Sequence, residues 1–249
     1  MTPPTGLWCE PPKTLSLARH EVHVWRSELD KPAFDVSSFL RTLTPDEQAR
    51  AERFHFQRDR EHFIVARGVL RAILGRYLEA EPDRLRFSYG EYGKPDLAEV
   101  RGGDSVRFNM SHSNGLALFA VTLDRELGVD LEWIRPGVAD DQIAERFFSP
   151  REVRILRALP RELQDEAFFN CWTRKEAYIK AKGEGLSMPL NLFDVSLAPG
   201  EPAALVSTAA DPQEASRWTL RELFPAAGFA AAIAVEGDGW QLNCWQWSA

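Results

Sequence analysis

The order of helix-forming and strand-forming segments is the feature that most constrains the fold of this 249-residue chain. One long helical pattern, with an apolar stripe, covers residues 59–78, and a second follows Pro160 and extends to Lys182. Capping boxes at 44–47 and 149–152, each with proline at the first helical position, predict two further helix starts. The segments around these helices then decide the fold class.

Short segments with alternating side chains lie before and after the helices and predict strands. They cover residues 21–26, 85–89, 106–110, 116–121, 128–133, 191–197, 217–223, 228–235 and 240–247. The turn residues between them favour antiparallel pairing, so we expect an α+β protein. The two sets of helices and strands indicate an extended leader, 1–17, and two similar halves, 18–126 and 127–249. No repeat at the level of residues relates the halves.

Composition and charge exclude several classes of protein. Apolar residues make up 44% of the chain and charged residues 27%, which is typical of a globular protein and not of a disordered or coiled-coil one. The net charge of −7 argues against generic nucleic-acid binding. The most apolar run, 228–235, is too short to span a bilayer, no signal peptide is recognisable, and three separated cysteines form no disulfide or zinc motif. We therefore expect a cytoplasmic protein with no nucleic-acid or membrane partner.

An acidic pair lies on the predicted strand 128–133. Asp130 and Glu132 share one face of that strand, and their Cα atoms would be roughly 6.5 to 7 Å apart. Two carboxylates so placed can share one hard cation such as Mg²⁺. The same alternation also fits a strand with a solvated acidic face, so the pattern alone leaves both interpretations open.

Glu176 and Lys180 form an acid–base pair four residues apart on the last long helix. On a solvated surface such a pair contributes only about 0.2–0.5 kcal/mol to stability. Phe169 and Trp172 lie on the same face, which indicates that this face is not simply exposed to water. A functional pair would use the carboxylate as a metal ligand or base and the lysine to neutralise a phosphate or leaving group.

Two further side chains, a hydroxyl and an imidazole, are of types that bind anions. Ser111 and His112 follow the strand 106–110 in an expected loop, where hydroxyl and imidazole groups can bind phosphate. The same residue types also favour a hydrogen-bonded hairpin turn. An adjacent Ser–His nucleophile is disfavoured because neighbouring side chains diverge and the G-x-S-x-G elbow is absent.

Basic side chains cluster on the first long helix, although the chain is acidic. Arg60, Arg67 and Arg71 form one stripe, Arg50 lies just upstream, and Lys94 occupies a Gly-Lys-Pro turn. The stripe fits either a solvated helix face or a site for phosphate oxygens. Together with the carboxylates it favours phosphoryl transfer or phosphodiester chemistry with Mg²⁺. The chain has no Walker A loop, kinase signature or GxGxxG motif.

Five segments resemble the Sfp-type 4′-phosphopantetheinyl transferases in order and spacing. They are RFHFQRDREHFIVARGVLR (53–71), YGKP (92–95), FNMSHS (108–113), GVDLEW (128–133) and WTRKEAYIKAKGEGL (172–186). The resemblance is strong over roughly residues 40–195. It implies a pseudo-twofold pair of α/β halves with coenzyme A in the cleft between them. It also implies transfer of the phosphopantetheine arm of CoA to a serine of an apo acyl or peptidyl carrier protein, with release of 3′,5′-ADP.

The resemblance also implies roles for individual residues. Asp130, Glu132 and Glu176 would hold Mg²⁺ on the pyrophosphate of CoA, with Glu176 the candidate base, directly or through a water. Ser111 and His112 would bind the 3′-phosphate of CoA.

Basic side chains would make the remaining contacts that the resemblance implies. Arg67 and Lys94 would contact the CoA phosphates or the adenine side, Arg50 would add to the same site, and Lys180 would stabilise or protonate the leaving ADP. Glu47 stands where some relatives carry a basic residue.

The sequence leaves two other functions possible and does not settle where a carrier protein would dock. The same carboxylates would serve a Mg²⁺-dependent phosphodiesterase, and the chain could be a non-catalytic module that binds CoA or a carrier. A carrier-docking surface is one interpretation of 134–165, where apolar and basic residues mix, and helix packing with a solvated face is the other. These residues are Phe147, Phe148, Arg151, Arg154 and Leu156. The resemblance also implies a monomer, in which one chain supplies both halves.

Overall fold

The computed structural model describes residues 8–31, 34–98, 105–137 and 141–248. The helices are α1 (Val36–Thr42), α2 (Pro45–Ala51), α3 (Gln57–Leu78), α4 (Asp141–Phe147), α5 (Pro150–Ala158) and α6 (Arg161–Lys182). The first strands are β1 (Trp8–Cys9), β2 (Glu21–Glu28), β3 (Phe87–Tyr89), β4 (Pro95–Leu97), β5 (Val106–Ser113), β6 (Leu116–Leu123) and β7 (Leu127–Trp133). The remaining strands are β8 (Phe193–Val195), β9 (Leu205–Thr208), β10 (Trp218–Leu223), β11 (Phe229–Glu236) and β12 (Gln241–Gln246).

The predicted α+β class and the predicted helix termini are confirmed. Glu47 accepts a hydrogen bond from the Thr44 amide at the start of α2, and Ser149 and Glu152 cap α5 reciprocally. Gly183 ends α6 with a φ of 72°, the left-handed conformation that glycine adopts without strain. Of the described helices, none is both long and apolar enough to cross a bilayer.

Two main sheets form the centre of the protein. The larger has the strand order β1-β12-β2-β6-β5, and the smaller has the order β10-β11-β7. Helix α3 packs on the outer face of the larger sheet, α6 packs on that of the smaller sheet, and a third apolar cluster joins the two inner faces. The layers are therefore helix, sheet, sheet and helix. Strand β12 pairs in parallel with both β2 and β1, and so lies between them in the larger sheet.

The expected loop at Ser111 is wrong. Ser111 and His112 continue strand β5, and only Asn114 and Gly115 form the turn into β6. Polar residues are compatible with this strand because Ser111 and Ser113 find partners on β7, and His112, on the other face, lines the cleft described below. Helices α1 and α4 and strands β4 and β9 have no counterpart in the sequence-based prediction.

Gly128 lets α6 approach β7 closely. A Cβ atom at this position would lie 2.2 Å from the carbonyl oxygen of Ala177 and 2.4 Å from the amide nitrogen of Ala181. Since both are backbone atoms of the helix, a side chain here would push α6 away from the strand. Asp130 and Glu132 alternate with the inner-face residues of β7 and thus lie on the same side as Gly128.

We expect Gly128→Ala to lower the free energy of unfolding by about 1–3 kcal/mol, the usual cost of overpacking a core. Urea unfolding would measure the loss. Gly90→Ala is the matched control, because a Cβ there would lie 3.8 Å from the nearest atom. Equal stability of the two variants would contradict the close packing of α6 on β7.

Candidate active site

Asp130 lies where β5, β7 and α6 meet. The residue is 4% exposed, and its Oδ1 atom accepts hydrogen bonds from Lys180 Nζ at 2.6 Å and from Ser111 Oγ at 2.8 Å. The other oxygen, Oδ2, is buried and has no partner in the described part of the chain. A buried carboxylate oxygen without a donor is costly, so this atom is suited to a cation.

Two further carboxylates share this region, and the pKa of each is raised. Burial raises the pKa of Glu176 to about 7, and the nearby charge of Asp130 adds to the effect. Burial and Asp130 likewise raise the pKa of Glu132, although a hydrogen bond from Ser113 opposes them. Because three partly buried acids repel one another, a positive ion between them would stabilise their charged forms.

The three carboxylates are chemically suited to a hard divalent cation, but their side chains do not form a ready-made metal site. Asp130, Glu132 and Glu176 supply the carboxylate oxygens that Mg²⁺ prefers, and the free Oδ2 of Asp130 is available. Among the described residues, however, no three His, Cys, Asp or Glu side chains form a cluster that could hold a metal ion as they stand. An ion held by these carboxylates would therefore need further oxygen ligands, from a bound substrate or from water.

The raised pKa of Glu176 predicts a pH dependence of stability in the metal-free protein. The carboxyl titrates at about 7 when folded but near its ordinary value of 4.5 when unfolded. Between these pH values the folded state binds more protons, so its stabilising contribution is complete below 4.5 and is lost as pH rises through 7. We expect a loss on the order of 1–3 kcal/mol, allowing for partial exposure.

Urea unfolding in EDTA, compared between the native protein and Glu176→Gln, isolates this contribution. The difference in unfolding free energy should change between pH 4.5 and 7, with the native protein losing stability relative to the variant. A difference that stays constant across that range would show that the Glu176 carboxyl titrates normally.

A cleft of about 390 Å³ opens beside Asp130. Four of the five residues expected to bind CoA, Arg50, Arg67, Ser111 and His112, line it together with Lys180. The pKa of His112 is lowered, first by desolvation and then by the positive charges of His62 and Lys180. The sequence-based prediction thus selects residues from four separate segments that the fold brings to one cleft.

Glu47 organises two of the arginines. It accepts hydrogen bonds from Arg67 Nε at 2.9 Å and from Arg71 Nε and Nη2 at 2.9 and 2.6 Å. Arg71 is fully buried and also donates to two backbone carbonyl groups, so the interpretation of Arg71 as part of a ligand-facing stripe is wrong. Arg67 keeps its place in the cleft wall and donates to the hydroxyl of Tyr89 at 2.6 Å.

Lys94 lies next to the cleft, but its ammonium group is already bonded. It donates to Glu126 Oε2 and to the carbonyl oxygen of Ala181, both at 2.9 Å. The Ala181 carbonyl belongs to the last turn of α6, where basic groups bind favourably. In this structure Lys94 thus joins the Gly-Lys-Pro turn to the end of the helix that carries Lys180.

Several contributors to the site escaped the sequence-based prediction. Ser113 donates to Glu132 Oε2 at 3.0 Å, and Asn109 accepts from the amide of Val129 at 3.0 Å. Their alternation with Ser111 along 109–113 is a strand signal that could have revealed them. Lys175, next to Glu176, is fully buried and pairs with Glu152 at 2.8 Å. No local pattern predicts that pair.

The predicted carrier-docking surface is partly wrong. Phe148 and Leu156 are 2% and 3% exposed and belong to the core beneath α6. Arg151 and Arg154 are exposed, and Phe147 is half-buried against Trp172. The apolar members of this set therefore stabilise helix packing, which was the other interpretation of the pattern.

Two protein families match the sequence of this chain. The 4′-phosphopantetheinyl transferase superfamily matches residues 126–234, and the family described as 4′-phosphopantetheinyl transferase, N-terminal, matches residues 31–123. Among solved structures, holo-[acyl-carrier-protein] synthase of Thermotoga maritima aligns with 45% of this chain and 63% of its own, at 21% identity and a TM-score of 0.37.

Two curated relatives are much more similar in sequence. The 4′-phosphopantetheinyl transferase Sfp of Bacillus subtilis is 31% identical over 171 residues, which are 68% of this chain and 74% of Sfp. The 4′-phosphopantetheinyl transferase HetI of Nostoc sp. is 44% identical over 240 residues, which are 96% of this chain and 98% of HetI. With a match that extends along nearly all of HetI, this chain belongs to the 4′-phosphopantetheinyl transferase superfamily.

Proposed function

We propose that this protein transfers the 4′-phosphopantetheine arm of coenzyme A to a serine hydroxyl of an apo acyl or peptidyl carrier protein. The observation that carries the proposal is the half-satisfied carboxylate of Asp130, bound to Lys180 on one oxygen, at the edge of a cleft lined by basic side chains. Such a site can hold a cation, a pyrophosphate and an attacking hydroxyl together. The relatives HetI and Sfp are named as 4′-phosphopantetheinyl transferases.

In the proposed reaction the serine oxygen attacks the phosphorus that carries the pantetheine arm. A new P–O bond forms to the carrier, the pyrophosphate P–O bond breaks, and 3′,5′-ADP leaves with that electron pair. Lys180 lies beside Asp130 and can donate a hydrogen bond or a proton to the leaving phosphate. Glu176 is the candidate base for the serine proton, either directly or through a water molecule.

Asp130, Glu132 and Glu176 would hold Mg²⁺. When bound, the ion would neutralise charge on the pyrophosphate and orient it for in-line attack. A nearby cation also depresses the pKa of a carboxylate. Glu176, at about 7 in the protein without metal, would then be a weaker base, so the route through water is the alternative to direct abstraction.

The cleft would hold the nucleotide end of CoA. Ser111 and His112 would bind the 3′-phosphate, Ser111 on release of its hydroxyl hydrogen from Asp130. A neutral His112 can donate one hydrogen bond without a charge. Arg67 and Arg50 would supply positive charge along the wall, and Arg67 is suited to this because Glu47 and Tyr89 already fix its orientation. Lys94 would contribute at the adjoining turn, on release from Glu126.

Both halves of the site come from one chain, so we propose that the protein acts as a monomer. We further propose a cytoplasmic location, where CoA and reduced thiols occur. All three cysteines are free, in keeping with a reducing compartment. The pathway served depends on the carrier, and fatty-acid, polyketide and nonribosomal-peptide carriers are the candidates.

Chromatographic quantification of the adenosine products tests the proposal against its alternatives. The protein, CoA and Mg²⁺ are incubated with and without an apo carrier protein. We expect 3′,5′-ADP to accumulate only when the carrier is present. Release without a carrier would instead identify a phosphodiesterase, and CoA binding by calorimetry with no product would identify a binding module.

A further inference from the structure

The two sheets meet at their edge strands, β5 and β7, through side chains. Within the described residues, no backbone ladder pairs these two strands. Instead Asn109, Ser111 and Ser113, at alternate positions on β5, project from the inner face of the larger sheet towards β7. The two halves of the protein are thus joined, next to Asp130, by a row of short polar side chains.

Two of these side chains bind the backbone of β7. Asn109 Oδ1 accepts from the Val129 amide at 3.0 Å, and Ser113 Oγ accepts from the Trp133 amide at 3.1 Å. Asn109 and Ser113 are four residues apart on β5, and their partners Val129 and Trp133 are four residues apart on β7 in the same order. The two strands therefore run in the same direction. These bonds satisfy amides at the edge of β7 that does not pair with β11.

The same row binds both acidic side chains of β7. Ser111 donates to Asp130 Oδ1 at 2.8 Å, and Ser113 donates to Glu132 Oε2 at 3.0 Å. The Ser113 hydroxyl thus accepts from the Trp133 amide through its oxygen and donates its single hydrogen to Glu132. The two-residue spacing of the serines equals that of the carboxylates, so each acid has its own serine.

We propose that Ser113 is a positioning residue that holds Glu132 in the orientation needed for metal binding. This inference rests on the proposed function, in which Glu132 is a metal ligand. A glutamate side chain has several rotatable bonds, and without the Ser113 hydrogen bond its carboxylate would sample more orientations. The backbone bond from Trp133 fixes the Ser113 hydroxyl, and the hydroxyl in turn restricts Glu132. Hydrogen-bond partners of metal ligands commonly change metal affinity by about 10- to 100-fold when removed.

Ser113→Ala and Ser113→Thr test this role without turnover. Mg²⁺ or Mn²⁺ is titrated calorimetrically into the full-length protein saturated with CoA, in the absence of any carrier. We expect Ser113→Ala to weaken cation binding about 10-fold or more, and Ser113→Thr, which keeps the hydroxyl, to bind like the native protein. Affinity for CoA in EDTA should be the same in all three proteins.

Ser207→Ala is the matched control, since Ser207 donates to the Asp194 carboxylate at 2.7 Å far from the cleft. Native cation affinity in Ser113→Ala, or an equal loss in Ser207→Ala, would overturn the inference while leaving the transferase proposal intact. If the native protein binds no cation with CoA, the inference fails together with the proposed metal site. The carrier assay then shows separately whether the transfer itself occurs.

Discussion

Replacement of Glu176 with glutamine will lower the kcat of carrier modification by about 10²- to 10⁴-fold, the usual contribution of a positioned general base. Glutamine has nearly the same shape as glutamate, so α6 should keep its packing on β7. The amide cannot accept the serine proton, and it carries no charge for a cation. Steady-state kinetics with saturating CoA, carrier and Mg²⁺ would measure the loss.

Glu162→Gln is the control for Glu176→Gln, because Glu162 lies on the same helix and is exposed at its first turn. It should leave kcat unchanged. Near-native turnover of Glu176→Gln, in a protein that unfolds at the same urea concentration or higher, would remove Glu176 from the mechanism. The assignment of the base would then pass to another group or to water alone.

Asp130→Asn should cause a loss of at least about 10³-fold in kcat/KM, since a metal site supplies several kcal/mol of charge stabilisation. Asp130 is the most buried of the three acids, and it alone bonds both Lys180 and Ser111. Asparagine removes the charge that pairs with Lys180 and one oxygen available to a cation. The loss should therefore exceed that of any single change in the CoA cleft.

Activity of Asp130→Asn as a function of Mg²⁺ concentration gives the more specific readout. We expect no recovery at concentrations that saturate the native protein. Asp124→Asn is the control, because Asp124 forms a surface ion pair with Arg19 at 3.1 Å and asparagine tolerates its positive φ of 55°. A native response to Mg²⁺ in Asp130→Asn would contradict the assignment of Asp130 as a ligand.

The ends of several helices and the acidic face of β7 could be predicted from sequence, because they depend on local interactions. The capping boxes at 44–47 and 149–152 and the glycine at 183 act within a few residues, so their effect does not depend on the rest of the chain. The alternation in 128–133 likewise placed Asp130 and Glu132 on one face. Short helices such as α1 and α4 were missed because seven residues are too few to establish a periodic pattern.

The remaining features depend on contacts between distant segments. Ser111 and Ser113 look like turn residues until β7 supplies their partners, and this is why a loop was expected where a strand occurs. Helical spacing placed Arg67 and Arg71 on one stripe, but it could not show that Glu47 lies between them. The fold buries Arg71 completely, whereas Arg67 keeps 6% exposure and lies in the cleft wall.

The measurement that tests the central claim most directly is intact-protein mass spectrometry of an apo acyl carrier protein after incubation with this protein, CoA and Mg²⁺. We predict that the carrier gains the mass of one phosphopantetheine group, and that EDTA or omission of CoA prevents the gain. An unchanged mass for acyl and peptidyl carriers alike, under conditions where CoA binds, would contradict the account.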